Sequence, residues 1–301
     1  SDYTGYGVEC NGDDNGSIDI SVSGGTENYT YVWTQDGVII ADQTQDLNNI
    51  TAGLYNVVAT DENGCAISTE VTITEPEGDA EISETHSDYT GYGVECNGDD
   101  NGSIDISVSG GTGNYTYEWT QDGVIIADQT QDLNNITAGL YNVVATDQNG
   151  CTLSIEVTIT EPEEMTISET YSDYTGYGVE CNGDDNGSID ISVSGGTENY
   201  TYVWTQDGVI IADQTQDLNN ITAGLYNVVA TDENGCAIST EVTITEPEEI
   251  IISETYSDYS GFGVSCYSSS DGFINIDVTG GTENYTYEWT QDGVIIADQT
   301  Q

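Results

Sequence analysis

SVSGGTENYTYVW, residues 21–33, decides the fold of this chain. It returns as SVSGGTGNYTYEW at 107–119, as SVSGGTENYTYVW at 192–204 and as DVTGGTENYTYEW at 277–289. The four tryptophans stand 86, 85 and 85 residues apart, so a repeat of about 85 residues organises everything else. Just upstream, Ile18, Ile20 and Val22 alternate with Ser17, Asp19 and Ser21, the period of a half-buried strand. Gly24-Gly25 interrupts the run, because glycine accepts backbone angles that other residues avoid. Beyond it Tyr29, Tyr31 and Trp33 share one face, with Thr30, Val32 and Thr34 opposite. These aromatics, with Trp119, Trp204 and Trp289 in the later copies, are the expected core.

Working outward, Thr34-Gln35-Asp36-Gly37 predicts a hairpin turn and Val38 to Ala41 a short apolar strand. DQTQDLNN reads as loop, with Leu47 and Ile50 as core plugs. Tyr55, placed after Gly53 at the start of an alternating strand, fits the tyrosine corner of an immunoglobulin-like sandwich. Asp61 to Gly64 turns the chain into a last strand carrying Ile67, Val71 and Ile73. Thr-Glu-Pro closes each unit, and its prolines, Pro76, Pro162 and Pro247, are the only ones in the chain. No helical period occurs anywhere. The expected fold is all-β: a tandem array of Ig-like antiparallel β-sandwich modules of about 85 residues. The modules are expected at 1–76 (first strand truncated), 77–162, 163–247 and 248–301 (C-terminally truncated).

Composition narrows the function. Among 301 residues there is no lysine or arginine against 55 acidic residues, a formal charge of −55. Repulsion excludes nucleic acid and anionic lipid surfaces as partners. Without lysine, Lys–Asn isopeptide cross-links cannot form. One histidine, His86, and no lysine leave no nucleophilic triad or Schiff-base chemistry, so an enzyme is not expected. No apolar run is long enough for a transmembrane span. The chain opens without a signal peptide and stops mid-repeat at Gln301, which reads as a section of something longer.

The order CNGDDNGSI, SGGTxNYTYxW, LxxITAGLY, TDxNGC and VTITEP resembles the SprB repeat, over the whole chain. The fourth copy departs most, with CYSSSDGFINIDV in place of CNGDDNGSIDISV. The resemblance implies an Ig-like module of the giant surface adhesins of gliding Bacteroidota, exported to the cell surface on a moving or adhesive filament. It implies no ligand. Further repeats of the same chain, surface polysaccharide and neighbouring filament chains are the expected partners.

Cysteines recur in pairs, Cys10 with Cys65, Cys96 with Cys151 and Cys181 with Cys236; Cys266 stands alone. In an exported chain that regularity predicts disulfides rather than metal or catalysis. Bridges within each repeat are the parsimonious reading, contributing about 4 kcal/mol each by loop closure. There is a geometric objection: in an Ig-like module the two cysteines lie at opposite ends of a strand ~23 Å long, and a bridge needs Cα atoms within about 7 Å. Pairing between neighbours, Cys10 to Cys151 and Cys96 to Cys236, therefore stays open.

Asn11, Asp13, Asp14 and Asn15 have the spacing of a calcium loop, but its closing glutamate is replaced by Val22. A site at the joint between modules, adding Glu77 and Asp147, is the better expectation for Ca²⁺, although no cofactor is required. Tyr3 and Tyr6, in a glycine-rich segment, are candidates for stacking on a sugar, against the plainer reading that they pack on the sandwich edge.

Overall fold

A computed structural model of the chain describes residues 2–78, 80–282 and 284–296, and every regular element in them is a β-strand. It divides into two compact units, Ser1–Glu161 and Pro162–Gln301. In the first unit, the first repeat contributes β1 (Gly16–Ile18), β2 (Thr30–Gln35), β3 (Val38–Ile39), β4 (Leu47–Ile50), β5 (Gly53–Thr60) and β6 (Ala66–Ile73). The second repeat contributes β7 (Glu81–His86), β8 (Gly102–Ser109), β9 (Thr116–Gln121), β10 (Val124–Ile125), β11 (Leu133–Ile136), β12 (Gly139–Thr146) and β13 (Thr152–Ile159).

In that second repeat one antiparallel sheet runs β11-β8-β7 and the other β10-β9-β12-β13. Ile104, Ile106, Leu133 and Ile136 from the first sheet meet Trp119, Tyr141, Val143, Val157 and Ile159 from the second in one buried cluster. That is a β-sandwich. Strand alternation places the cluster: Tyr141, Val143 and Ala145 of β12 are buried, while the residues between them are only half so.

The second unit repeats the plan with β14 (Glu163–Tyr171), β15 (Gly187–Gly196), β16 (Thr201–Gln206), β17 (Val209–Ile210), β18 (Leu218–Ile221), β19 (Gly224–Thr231) and β20 (Ala237–Ile244). Its sheets run β14-β15-β18 and β17-β16-β19-β20. The fourth repeat adds the pairs β21 (Glu248–Tyr256) with β22 (Ile274–Gly281), and β23 (Thr290–Gln291) with β24 (Val294–Ile295).

Local chemistry explains the elements. Asp36 and Gly37 sit at φ 48° and 84°, the left-handed pair that a two-residue hairpin needs between Gln35 and Val38. The tyrosine corner is present in three repeats: the Tyr55, Tyr141 and Tyr226 hydroxyls donate to the carbonyls of Thr51, Thr137 and Thr222 at 2.9, 3.0 and 3.0 Å. Each buried indole also finds an acceptor, Trp33 Nε1 reaching the Thr44 carbonyl at 2.8 Å.

The structure corrects several sequence expectations. Tyr29 is not core: it precedes β2, is half-buried, and its hydroxyl donates to the Gly24 carbonyl. Tyr31 is half-buried against the core, and Trp289 is half-buried where Trp33, Trp119 and Trp204 are fully covered. Residues read as loop contain β4, because Leu47 and Ile50 both face the core and Leu47 and Asn48 pair with β1. The alternation at 17–23 forms a strand only over Gly16–Ile18 in the first repeat, whereas β8 and β15 run on. Those two gain an outer partner, β7 and β14 respectively, that satisfies their second row of backbone groups. Ile67 lies in the last strand, β6, as expected, and its side chain is exposed.

The opening segment of each of the first three repeats is part of the core. Val8 is completely buried. Gly7 donates to the Thr74 carbonyl at 2.9 Å, and a Cβ there would sit 2.7 Å from Ile73 Cγ2, so only glycine fits.

Candidate functional site: a disulfide-linked joint

Packing Gly7 and Val8 on the end of β6 delivers the next residues, Glu9 and Cys10, to one end of the sandwich. The NGDDNG loop is then fixed from within. Asp13 Oδ2 accepts from the Cys10 amide at 3.1 Å and from Asn15 Nδ2 at 3.0 Å, while Asn15 Oδ1 accepts from the Glu9 amide at 3.0 Å. The closing Thr-Glu-Pro ties down the same loop: Glu75 Oε2 accepts from the Gly12 amide at 2.8 Å, and Asn11 Nδ2 donates to the Pro76 carbonyl at 3.2 Å. Glu161 with Gly98 and Glu246 with Gly183 repeat the bond at 2.7 and 2.8 Å. The linker to the next module therefore leaves beside the cysteine loop.

The second cysteine of each repeat sits in the β-hairpin turn after the tyrosine-corner strand. Its organiser is a buried aspartate. Asp147 Oδ1 accepts from the amides of Asn149 and Cys151, both at 2.9 Å, and its Oδ2 accepts from Thr112 at 2.9 Å. Asp61 does the same for Thr26, Asn63 and Cys65. Backbone amides, Thr26 first and then Cys65, hold the Asp61 carboxyl below the usual aspartate range.

Within the first unit the loop of repeat one meets the hairpin of repeat two. Cys10 and Cys151, 141 positions apart in sequence, form a disulfide with Cα atoms 5.8 Å apart. Asn149 Nδ2 donates to the Glu9 carbonyl at 3.1 Å, and the Thr4 hydroxyl bonds Asn149 Oδ1. The expectation of bridges inside a repeat is corrected. Cys65 stays a free, exposed thiol although Cys10 is in its own repeat, and Cys181 stays free although Cys236 is in its own. The reason is the separation already visible in the topology: loop and hairpin lie at opposite ends of one sandwich, so each is within reach only of a neighbour. Cys96 and Cys236 are likewise disulfide-bonded.

A family model, the SprB repeat, matches the chain four times, at residues 8–38, 94–124, 179–209 and 264–294. The chain carries four SprB repeats. Each match begins at the buried valine before the first cysteine or its counterpart, Val264, and ends at the hairpin after the tryptophan. Among solved structures, the chain is similar to three N-terminal domains of the outer capsid protein Hoc of bacteriophage RB49, at 18% identity over 79% of this chain and 96% of that one (TM-score 0.39). It is also similar to part of a 1.5-MDa bacterial ice-binding adhesin, at 13% identity over 75% and 87% (TM-score 0.34). The eight N-terminal Ig domains of Down syndrome cell adhesion molecule show 13% identity over 90% and 42% (TM-score 0.32). No match was found among curated proteins.

The other SprB-repeat candidates fall differently. Of the six residues proposed for calcium, Asp13, Asn15 and Asp147 accept with their side-chain oxygens from the backbone amides of Cys10, Glu9 and Cys151, Asn11 reaches Pro76, and Asp14 and Glu77 are exposed. Among the described residues no group of three His, Cys, Asp or Glu side chains is arranged to hold a metal ion. Tyr3 and Tyr6 are half-buried and bridge each other through their backbones at 2.8 and 3.0 Å. Their counterparts Tyr89 and Tyr174 turn their hydroxyls to the carbonyls of Asn101 and Asn186 in the cysteine loop, at 3.3 and 3.2 Å. Sequence reasoning missed Glu9 and Asn149. The signal available for both was adjacency to a cysteine.

Proposed function

We propose that this chain is a load-bearing section of an extracellular bacterial adhesin, a stalk or filament that serves gliding or surface attachment. The SprB repeats support an adhesin-like repeat region, and the disulfides fit an oxidising, extracellular setting. The observation that carries the mechanical reading is the Cys10–Cys151 bond. Tension entering before Cys10 crosses to Cys151 through the disulfide, so the residues between them are out of the load path. One covalent link shields residues 11–150, which hold every strand of the first sandwich and β7 to β12 of the second. The acidic surface keeps neighbouring stalks apart by repulsion. Further repeats are the immediate partners in this reading, with surface polysaccharide met through the filament as a whole and Ca²⁺ acting as a diffuse counterion.

Single-molecule stretching between the two ends tests this. In the chain carrying Cys96→Ser and Cys236→Ser, where Cys10–Cys151 is the disulfide under test, reduction should add about 480 Å of contour length, at ~3.4 Å per residue over the bridged segment. Equal contour lengths for oxidised and reduced chains would remove the load-bearing role.

A further inference from the structure

Residues 1–77 and 172–248 are identical in sequence, yet their cysteines differ in state. Cys10 is bonded and Cys65 free in the first copy; Cys181 is free and Cys236 bonded in the second. Nothing inside the repeat can cause that difference. What differs is whether a neighbouring repeat presents the complementary element.

The unbonded halves are already folded into the bonded shape. In the Cys181 loop the cysteine amide donates to Asp184 Oδ2 at 3.1 Å and the Asp184 amide to the Cys181 carbonyl at 3.1 Å, the same distances as between Cys10 and Asp13. In the Cys65 hairpin the amide donates to Asp61 Oδ1 at 2.8 Å, against 2.9 Å for Cys151 with Asp147. The surroundings differ. Glu9 and Cys10 are half-buried where the hairpin covers them, whereas Glu180 and Cys181 are exposed. Asn63 turns its amide back to Thr26 Oγ1 at 2.7 Å, whereas Asn149 gives that bond up for the Glu9 carbonyl. The equivalent acceptor, Thr112 Oγ1, is left buried without a hydrogen-bond partner. The joint thus has an open form and a closed form, and both are present in this chain.

We propose that Cys181, flanked by Thr175 and Glu180, is a covalent docking site for the cysteine hairpin of a further SprB repeat. Cys65 with Asn63 is the other half of the same joint, open to the loop of another repeat. The proposal rests on the joint in the first unit and not on the adhesive role. Cys266 is not equivalent: Ser260, Ser265 and Ser269 stand where Thr175, Glu180 and Asp184 stand around Cys181. The bond forms by exchange with a small disulfide such as oxidised glutathione. One protein thiolate attacks it and releases a first glutathione; the second protein thiolate attacks the mixed disulfide and releases another, leaving one protein disulfide and two reduced glutathiones. Local desolvation, with the Asp184 and Glu180 carboxylates close by, pushes the pKa of the exposed Cys181 thiol up, which lowers its thiolate fraction and keeps random exchange slow.

The test is the chain extended after Gln301 by a copy of residues 217–247, which completes the fourth repeat in register and adds one hairpin cysteine. After folding in a glutathione redox buffer, peptide mapping with a protease cutting at acidic residues should show the added cysteine bonded to Cys181. Cys65 and Cys266 should remain as thiols. A bond to Cys266, or an added cysteine left as a thiol, overturns the proposal. The same chain carrying Cys266→Ser removes the competing thiol, and there too the bond to Cys181 must form. Neither result bears on surface attachment, so failure here and failure of the stalk reading are separable.

Discussion

At the residue scale, a few side chains hold each module through single buried bonds. Tyr226 is almost fully covered and its hydroxyl donates to the Thr222 carbonyl at 3.0 Å. Burial raises its pKa, so the hydroxyl stays protonated as a donor through physiological pH. Tyr226→Phe removes the donor and leaves that carbonyl without it, which should cost the third repeat about 1 kcal/mol. Hydrogen exchange across residues 163–247 in increasing urea checks this; unchanged protection there would mean the corner contributes no stability. Tyr55, at the equivalent position, was legible in the sequence because a tyrosine following a glycine into an alternating strand marks that corner by local pattern alone. Val8 was not legible, since one valine among Gly, Tyr and Glu has no period to betray it.

At the element scale, the hairpin turns carry the joint and a carboxylate holds each one. Asp61 is depressed in the folded chain, so its contribution is complete above the usual aspartate range. It is lost as pH falls through the lower folded value, when the protonated carboxyl releases the Thr26 and Cys65 amides. The amide proton shifts of Thr26 and Cys65 should therefore titrate together, with a midpoint below that of an unperturbed aspartate. A midpoint at or above the ordinary value would show that these amides do not hold the charge. Strands and turns were largely readable, because alternation and the Asp-Gly and Gly-Gly breaks act over a few residues. The strand Leu47–Ile50 was missed because LNNI is too short to show a period; its place depends on pairing with Gly16–Ile18.

At the scale of the whole molecule, the formal charge of −55 works against compactness in every module. Screening should therefore stabilise the array: raising NaCl from about 0.01 to about 0.5 M contracts the Debye length from about 30 Å to a few ångströms, and Tm should rise. A Tm that stays flat or falls would show that the carboxylates are too far apart to repel. The disulfide works in the other direction, restricting the unfolded chain by closing a segment that spans two sandwiches.

By itself the sequence determined the period, the all-β class, the hairpins, the tyrosine corner and the acidic exterior, because each is written in residues close along the chain. Cysteine pairing was decided only by the tertiary structure. Cys10 and Cys181 lie in identical stretches of 77 residues, yet one is bonded and the other free. A disulfide forms where two Cα atoms come within about 7 Å. Along a tandem array that distance is set by how one module's loop meets the next module's hairpin, and no stretch of a single repeat contains that information.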